Sequence, residues 1–324
     1  MFSIFFLMPN IIFQIVEKLF YRMSILKLIF LFLLAIKIVS KKMPIITLTT
    51  DYGIKDHFVG ALKGKIISEM PEANIVDISH YIDPFNIFEA AYILESAWKS
   101  FPKGTIHLIG VDMELNLENQ HIVMQWNDHF FIAADNGILS LLCQKFIPQK
   151  IVSINVHDRF TDKVSDIDVL VRVATHIAKG GLMHIIGTEI KQIKEVTTLK
   201  PMVAENKNTL KGYVIYIDHF GNVVVNITKK MFEEVRQNRD FEIILNEKYK
   251  NQRKSNIKTI HQKYSDIGLK GTYALKNYEG EKLAVFNEAG YLEIAIFRSN
   301  PATVGSAKTL LGLHYRDVIS IEFK

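Results

Sequence analysis

The sequence predicts an α/β domain over residues 43–200 and a small β-barrel domain over residues 208–324. In the first range, short β-rich stretches alternate with stretches whose apolar residues recur at helical spacing. In the second range every apolar segment is short and β-rich, with turn residues between the segments. Residues 1–42 differ in composition from both, so we predict a separate N-terminal extension.

The α/β prediction begins with Ile45, Ile46 and Leu48, which are mixed with three threonines and suit a buried strand. The following FVGALKGKIISEM has apolar residues near helical spacing, so Asp51 lies where a strand passes into a helix. Further along the chain we expect strands at ANIVDIS, TIHLIGVD, HIVMQW and HFFIAA, and helices at FNIFEAAYILESAWKSF and DVLVRVATHIAKGG.

A polar stretch, KPMVAENKNTLKG, separates the two predicted domains. From Gly212 onward the segments YVIYID, NVVVNIT, FEIIL, LAVF, YLEIAIF and VISIEF read as strands. Many short strands with turn residues between them favour a small barrel or a sandwich.

The extension over residues 1–42 contains one strongly apolar run, LIFLFLLAI, which is nine residues long. A bilayer-spanning helix needs about 20 apolar residues, so this run spans a membrane only if its flanking lysines reach the interface. Three interpretations stay open: a membrane anchor, an atypical export signal, or sequence translated from a misplaced start. We favour the last, with Met43 as the true beginning, and expect a cytoplasmic protein whose membrane contact is limited to residues 1–42 if they are retained.

The formal net charge of +5 is located in the extension, which carries six basic residues and one acidic residue. The charges of the 33 basic and 33 acidic residues in 43–324 cancel, so this part of the chain has no net positive charge that would attract a polyanion. We therefore expect no nucleic-acid partner. The single cysteine, Cys143, excludes an internal disulfide and any thiolate metal cluster, and it is compatible with a reducing compartment.

Four polar clusters interrupt the predicted strands at their ends, where ligands bind in open α/β sheets. They are TTDYG (49–53), VDMELNLENQH (111–121), ADNGILSLL (134–142) and IDHFGNVVVN (217–226). Three of them have a structural alternative: Asp51 could cap a helix or shape a turn, Asn136-Gly137 is a strong hairpin signal, and DHFGN could be a plain turn.

Taken together, the motifs TTDYG with KDHFVGALKG, DISHYIDPFNIFEAAYIL, DNGILSLL, DHFGNVVVNIT and AGYLEIAIFRSNPA resemble the S-adenosyl-L-methionine hydroxide adenosyltransferase family. That family shares its fold with bacterial fluorinating and chlorinating enzymes. The resemblance implies a homotrimer with sites between subunits. It also implies attack of water on the ribose C5′ of S-adenosyl-L-methionine to give adenosine and methionine, with no cofactor and no metal.

The resemblance also implies the roles of substrate-binding residues. Asp51 accepts hydrogen bonds from the ribose hydroxyls, and Phe85, which could equally belong to the core, packs against the nucleoside. Asp218 holds the methionine ammonium. Phe220 and Asn222 make contacts on the adenine side, and Asn136 lines the site.

The catalytic set departs from the family pattern, in which an Asp, an Arg and a His position the attacking water. Asp112 matches the aspartate, but Asn119 or Gln120 falls where the arginine stands and Ser165 falls where the histidine stands. We therefore predict Asp112, Gln120 and Ser165 as the catalytic residues, with His121 and His157 as alternatives. Two functions stay open: hydrolysis by a divergent water-positioning set, or a non-catalytic trimer that binds adenosine or S-adenosyl-L-methionine.

Overall fold

A computed structural model describes residues 43–143, 146–159, 164–245, 256–268 and 274–324, with scattered helical positions between 17 and 30. Most of the predicted extension therefore lies outside the described residues. Within the part that is described, no helix is both long and apolar enough to cross a bilayer. Ile45–Lys324 form one compact unit, to which the following description applies.

The N-terminal half of this unit is built on a mixed seven-stranded sheet with strand order β2-β1-β3-β5-β4-β6-β7. Strands β2, β1, β3 and β5, which run inward from one edge, pair in parallel. Strand β4 is antiparallel to β5 and β6, and β6 is antiparallel to β7. The strands are β1 (Ile45–Thr50), β2 (Asn74–Ser79), β3 (Ile106–Gly110), β4 (His121–Trp126), β5 (His129–Ala134), β6 (Lys150–Ile154) and β7 (Gly187–Glu189).

Helices cover both faces of this sheet, as the alternation in the sequence predicts. On one face α1 (Phe58–Glu69) packs with α4 (Asp166–Ala178), and on the other α2 (Ile87–Ala97) packs with α3 (Ile138–Cys143). Because β1 lies between two strands and under both helical layers, its last five residues are buried, including three threonines. The Thr47 and Thr50 hydroxyls find buried histidine partners, whereas the Thr49 hydroxyl makes no hydrogen bond within the described part of the chain.

The C-terminal half is a second sheet of eight strands with the order β11-β15-β9-β10-β14-β13-β12, and β8 adds to β9. The sheet curls around a core of aliphatic residues and Phe232. The strands are β8 (Met202–Val203), β9 (Thr209–Ile217), β10 (Val223–Thr228), β11 (Phe241–Ile244), β12 (Ile260–His261), β13 (Lys282–Phe286), β14 (Tyr291–Ile296) and β15 (Val318–Phe323), with helices α5 (Lys229–Arg236) and α6 (Ala307–Leu310).

The small β-barrel predicted for this half is present only in part: the sheet is a curled half-barrel that stays open between β11 and β12 rather than closing. A single bridge between Ile243 and Ile257 is the pairing seen across that seam in the described residues. Six of the eight strands fall where the sequence predicts them, and the two-residue strands β8 and β12 were not predicted. Closure depends on whether the two edge strands pair with each other, and the pattern within a strand does not encode its partner.

Candidate active site

The candidate site begins at the carboxyl end of β1, where Asp51 follows the last residue of the strand. One carboxylate oxygen of Asp51, Oδ2, accepts hydrogen bonds from the backbone N–H of Phe85 at 3.0 Å and of Asp112 at 3.4 Å. The Asp51 N–H in turn donates to the Gly110 carbonyl at 3.4 Å, at the end of β3. A single carboxylate therefore joins the ends of β1 and β3 to the loop that precedes α2.

Both residues that donate to Asp51 have a left-handed backbone. Phe85 has φ 64° and Asp112 has φ 46°, a conformation that residues other than glycine adopt at a cost of roughly 1–3 kcal/mol. Such strain persists where surrounding contacts over-determine the conformation, and here both strained turns point an N–H at one anion. Asp51 therefore organises the turns that carry Phe85 and Asp112.

Asn136 belongs to the same cluster, the Asp51 corner, which also contains Asp51, Phe85 and Asp112. Its side-chain amide donates to the carbonyl oxygens of Val111 and Asp112, both at 3.0 Å, and its oxygen accepts from the Ile138 N–H at 3.2 Å. The hairpin alternative for Asn136-Gly137 is wrong, because these residues connect β5 to α3. Asn136 instead ties the start of α3 to the loop after β3.

The loop from Asp112 to Gln120 is tied to the start of α4. The Leu115 N–H donates to the Asp166 carboxylate at 2.8 Å, next to Ser165 in the chain. The Gln120 side-chain amide donates to the Asn116 carbonyl at 3.2 Å within the loop. Three residues predicted as catalytic thus lie on two elements that a hydrogen bond connects.

Ser165 is the N-cap of α4. Its hydroxyl donates to the Asp168 carboxylate at 2.6 Å and accepts from the Asp168 N–H at 3.3 Å, while Asp168 returns a bond to the Ser165 N–H. This is a capping box, and Asp168 also pairs with Lys65 on α1. The hydroxyl of Ser165 is therefore engaged in the helix cap.

The two alternative histidines contact each other beside the same loop. His121 is fully buried, with Nε2 2.7 Å from the Met113 carbonyl and Nδ1 3.2 Å from Nε2 of His157. Because a carbonyl only accepts, Nε2 of His121 carries the proton and Nδ1 accepts from His157. Burial lowers the pKa of His121, so the ring is neutral and supports the backbone at Met113.

Tyr52, directly after Asp51 in the chain, contacts the loop that follows Asp112. Its hydroxyl donates to the Met113 sulfur at 2.7 Å, and burial, followed by the negative charge of Asp51, raises the pKa of Tyr52 to about 12. The phenol therefore stays protonated over the working pH range and acts as a donor.

A second group of predicted residues lies on the hairpin between β9 and β10. The Asp218 carboxylate accepts from the Asn222 N–H at 2.8 Å and from the Asn222 side-chain amide at 3.0 Å. Gly221, at φ 70°, donates its N–H to the Asp218 carbonyl at 2.9 Å, so DHFGN forms a turn as its structural alternative predicts. The turn fixes the Asp218 carboxylate and leaves Phe220 64% exposed.

Beside this hairpin lies a buried carboxyl group that the sequence analysis missed. Glu293 is 5% exposed, accepts from the Tyr264 hydroxyl, and lies 3.3 Å from the Asn287 amide, which also reaches the Tyr92 hydroxyl at 3.1 Å. Burial raises the pKa of Glu293, and the negative charge of Asp218 adds to that rise. The available signal was a glutamate in the middle of the apolar strand YLEIAIF.

The structure thus brings the predicted residues together as two groups. Among the described residues, none of the hydrogen bonds of Asp51, Asp112 or Asn136 reaches Asp218 or its hairpin. A cavity of about 750 Å³ lies elsewhere, between α5 and β12, and none of the predicted site residues lines it. No group of three or more His, Cys, Asp or Glu side chains suited to a metal ion occurs in the described part of the chain.

Comparison with known proteins places both halves of the unit in one family. The model of the SAM hydroxide adenosyltransferase N-terminal domain matches residues 46–187, and that of the C-terminal domain matches residues 212–320. An (R)-S-adenosyl-L-methionine hydrolase from Methanocaldococcus jannaschii is 30% identical over 289 residues, which cover 86% of this chain and 96% of that protein.

Two further relatives widen the comparison. A fluorinase from Actinopolyspora mzabensis is 21% identical over 287 residues, covering 79% of this chain and 91% of the fluorinase. The crystal structure of a conserved protein from Thermotoga maritima superposes with a TM-score of 0.70 at 29% identity, covering 86% of this chain and 99% of that one.

Proposed function

Because this chain belongs to the SAM hydroxide adenosyltransferase family, we propose that it hydrolyses S-adenosyl-L-methionine to adenosine and methionine. The observation that carries the proposal is the corner around Asp51. One carboxylate oxygen is engaged by the backbone of Phe85 and Asp112, and the other, Oδ1, carries neither of these bonds. A fixed carboxylate with one oxygen available suits a pair of ribose hydroxyls.

The proposed reaction is a single displacement. The oxygen of water forms a bond to C5′ of the ribose while the C5′–S bond breaks and its electron pair goes to sulfur. The sulfonium becomes the neutral thioether of methionine, and the water proton passes to an acceptor. Because a sulfonium is already a good leaving group, the protein has to supply geometry and desolvation, and alignment of the reactants is worth about 7–11 kcal/mol in favourable cases.

Asp112 is the acceptor that we assign to the attacking water. The backbone bonds from its N–H to Asp51 and from Asn136 to its carbonyl hold it next to the ribose-binding carboxylate. Gln120 and Ser165 are the further candidates for positioning that water, supported by the bond between Leu115 and Asp166 that joins their two elements. Neutral amide and hydroxyl groups make weaker bonds than an arginine or a protonated histidine, so we expect slow turnover.

We further propose a homotrimer in which each site combines residues from two subunits. Two observations support this arrangement. Within one chain the Asp51 and Asp218 groups share no hydrogen bond among the described residues, and each exposes an aromatic ring, Phe85 at 72% and Phe220 at 64%. Light scattering should give a mass close to three times the 37.2 kDa of one chain, and a monomer that is fully active would contradict shared sites.

The second candidate is a non-catalytic trimer that binds adenosine or S-adenosyl-L-methionine. The hydrogen bonds that the Ser165 hydroxyl makes within its own helix cap favour it. That hydroxyl is engaged by Asp168 in the cap of α4, and in this position the family carries a histidine. Both candidates require nucleoside binding, and only the first requires turnover.

The deciding experiment follows adenosine formation from S-adenosyl-L-methionine by chromatography, over long incubation and in the presence of a chelator. Calorimetry with adenosine and with S-adenosyl-L-methionine runs beside it on the same preparation. Adenosine above the uncatalysed background supports the hydrolase. Binding without turnover would exclude the hydrolase and leave the binding trimer. If the protein shows neither binding nor turnover, both candidates are excluded.

A further inference from the structure

A chain of buried hydrogen-bonding side chains leads from the surface to the residue that precedes Asp51. Oγ1 of Thr50 lies 2.7 Å from Nδ1 of His80, whose Nε2 lies 3.1 Å from the Asp77 carboxylate. Lys63 on α1 donates to the same carboxylate at 2.6 Å. Thr50 is fully buried and His80 is 4% exposed, so the contact between them is shielded from water, whereas Asp77 and Lys63 lie at the surface.

The chemistry of the partners gives the chain one direction. The Asp77 carboxylate lies 3.1 Å from Nε2 of His80, a contact that favours the ring proton on Nε2 and leaves Nδ1 as an acceptor. Nδ1 therefore receives the Thr50 hydroxyl proton, and the Thr50 oxygen keeps a lone pair for the Tyr52 N–H at 3.4 Å. Asp77 thus fixes the tautomer of His80, and His80 fixes the rotamer of Thr50.

His80 also holds the chain on the far side of Asp51. Its carbonyl accepts from the Gly53 N–H at 2.7 Å, and Gly53 has φ 63°. His80 therefore contacts both ends of the turn Thr50-Asp51-Tyr52-Gly53. Its side chain contacts Thr50, and its backbone carbonyl accepts from Gly53.

We propose that His80, oriented by Asp77, is a positioning residue that sets the place of the Asp51 carboxylate through Thr50. The inference rests on the proposed function, because it gives Asp51 the ribose-binding role. It explains why a buried histidine and a buried threonine meet at the carboxyl end of β1, where an apolar pair would pack without a polar cost. It also assigns a role to the DISH segment (77–80), whose first and last residues are Asp77 and His80.

The same strand supplies a matched control. Oγ1 of Thr47 lies 2.7 Å from Nδ1 of His107, and Thr47 is as fully buried as Thr50 but lies three residues further from the site. Thr47→Val and Thr50→Val each remove one buried threonine-histidine bond of equal length from β1, and Thr50→Val also removes the acceptor of the 3.4 Å bond from the Tyr52 N–H. Thr50→Ser keeps a hydroxyl for both partners, so Thr47→Val and Thr50→Ser together separate a positioning role from a general loss of packing.

The test measures adenosine affinity by calorimetry for the wild-type protein, Thr50→Val, Thr50→Ser and Thr47→Val. We expect Thr50→Val to weaken binding about five- to tenfold, Thr50→Ser to restore most of it, and Thr47→Val to bind as the wild type does despite a similar loss of thermal stability. Equal affinities for Thr50→Val and Thr47→Val would overturn the inference.

A second measurement needs no ligand, so it separates this inference from the proposed function. Hydrogen exchange at the amides of Phe85 and Asp112, which donate to Asp51, should be faster in Thr50→Val than in Thr47→Val. If the wild-type protein binds no adenosine, the proposed function fails while the exchange data still decide the positioning role. Unchanged exchange at both amides in Thr50→Val would refute that role.

Discussion

Replacing Asp51 with asparagine tests the candidate site most directly, because the structure fixes how the new side chain sits. The backbone N–H groups of Phe85 and Asp112 point at Oδ2 of Asp51, so an amide must place its oxygen there and its NH2 group where Oδ1 was. The two strained turns keep an acceptor. The ribose hydroxyls, however, meet a neutral donor in place of a charged acceptor.

The expected loss follows from the bonds that disappear. A hydrogen bond to a charged group contributes about 1.5–3 kcal/mol, so Asp51→Asn should weaken adenosine binding roughly ten- to hundredfold. Isothermal titration calorimetry measures the change. Circular dichroism and thermal melting should show a fold close to that of the wild type, because the amide oxygen still accepts from both turns.

Asp56→Asn is the matched control for that variant. Asp56 is an exposed acid in the same loop, five positions along the chain, so its replacement removes the same charge without touching the Asp51 corner. We expect its affinity for adenosine to stay within about twofold of the wild type, since exposed charges are screened. An Asp51→Asn variant that binds as tightly as Asp56→Asn would remove Asp51 from the site.

Three further predictions concern catalysis, packing and pH. Asp112→Asn keeps a residue that tolerates the left-handed turn, so adenosine should still bind in calorimetry while adenosine formation falls at least tenfold; an unchanged rate would exclude Asp112 as the acceptor. Gly137→Ala should lower the free energy of unfolding by about 1–3 kcal/mol in urea titrations, because Gly137 has φ 101° and a Cβ there would lie 1.9 Å from Val196; a wild-type midpoint would contradict this. Burial, and then the neighbouring His129, lowers the pKa of His107 from 6.5 to about 3. As the pH falls below 6.5, protons therefore bind the unfolded chain before the folded one, and the free energy of unfolding decreases by up to about 1.4 kcal/mol per pH unit. The difference in unfolding free energy between His107→Gln and the wild type should therefore shrink as the pH falls, and parallel curves of stability against pH would refute the assignment.

Features set by neighbouring residues could be predicted from the sequence. Helical spacing located α1, α2 and α4, and β-rich segments located most strands of both sheets, because burial of one face imposes a period on the chain itself. The short strands β6, β7, β8 and β12 were not predicted. The position of Asp51 at the end of β1 followed in the same way. The capping box of Ser165 and Asp168 is also local, and the spacing of a serine and an acid three residues apart was a signal that the sequence analysis left unused.

Tertiary structure decided which distant groups meet. Asp51 finds its two backbone donors 34 and 61 residues further along the chain, and Thr50 finds His80 30 residues away. The half-barrel stays open because the edge strands β11 and β12 pair with β15 and β13 and form no ladder with each other, a choice of partner that the pattern within each strand does not specify. A hydrogen bond needs its two groups within about 3 Å of each other, and separation along the chain does not determine that distance. The parallel pairing of β1 with β2 and with β3 brings these groups within reach.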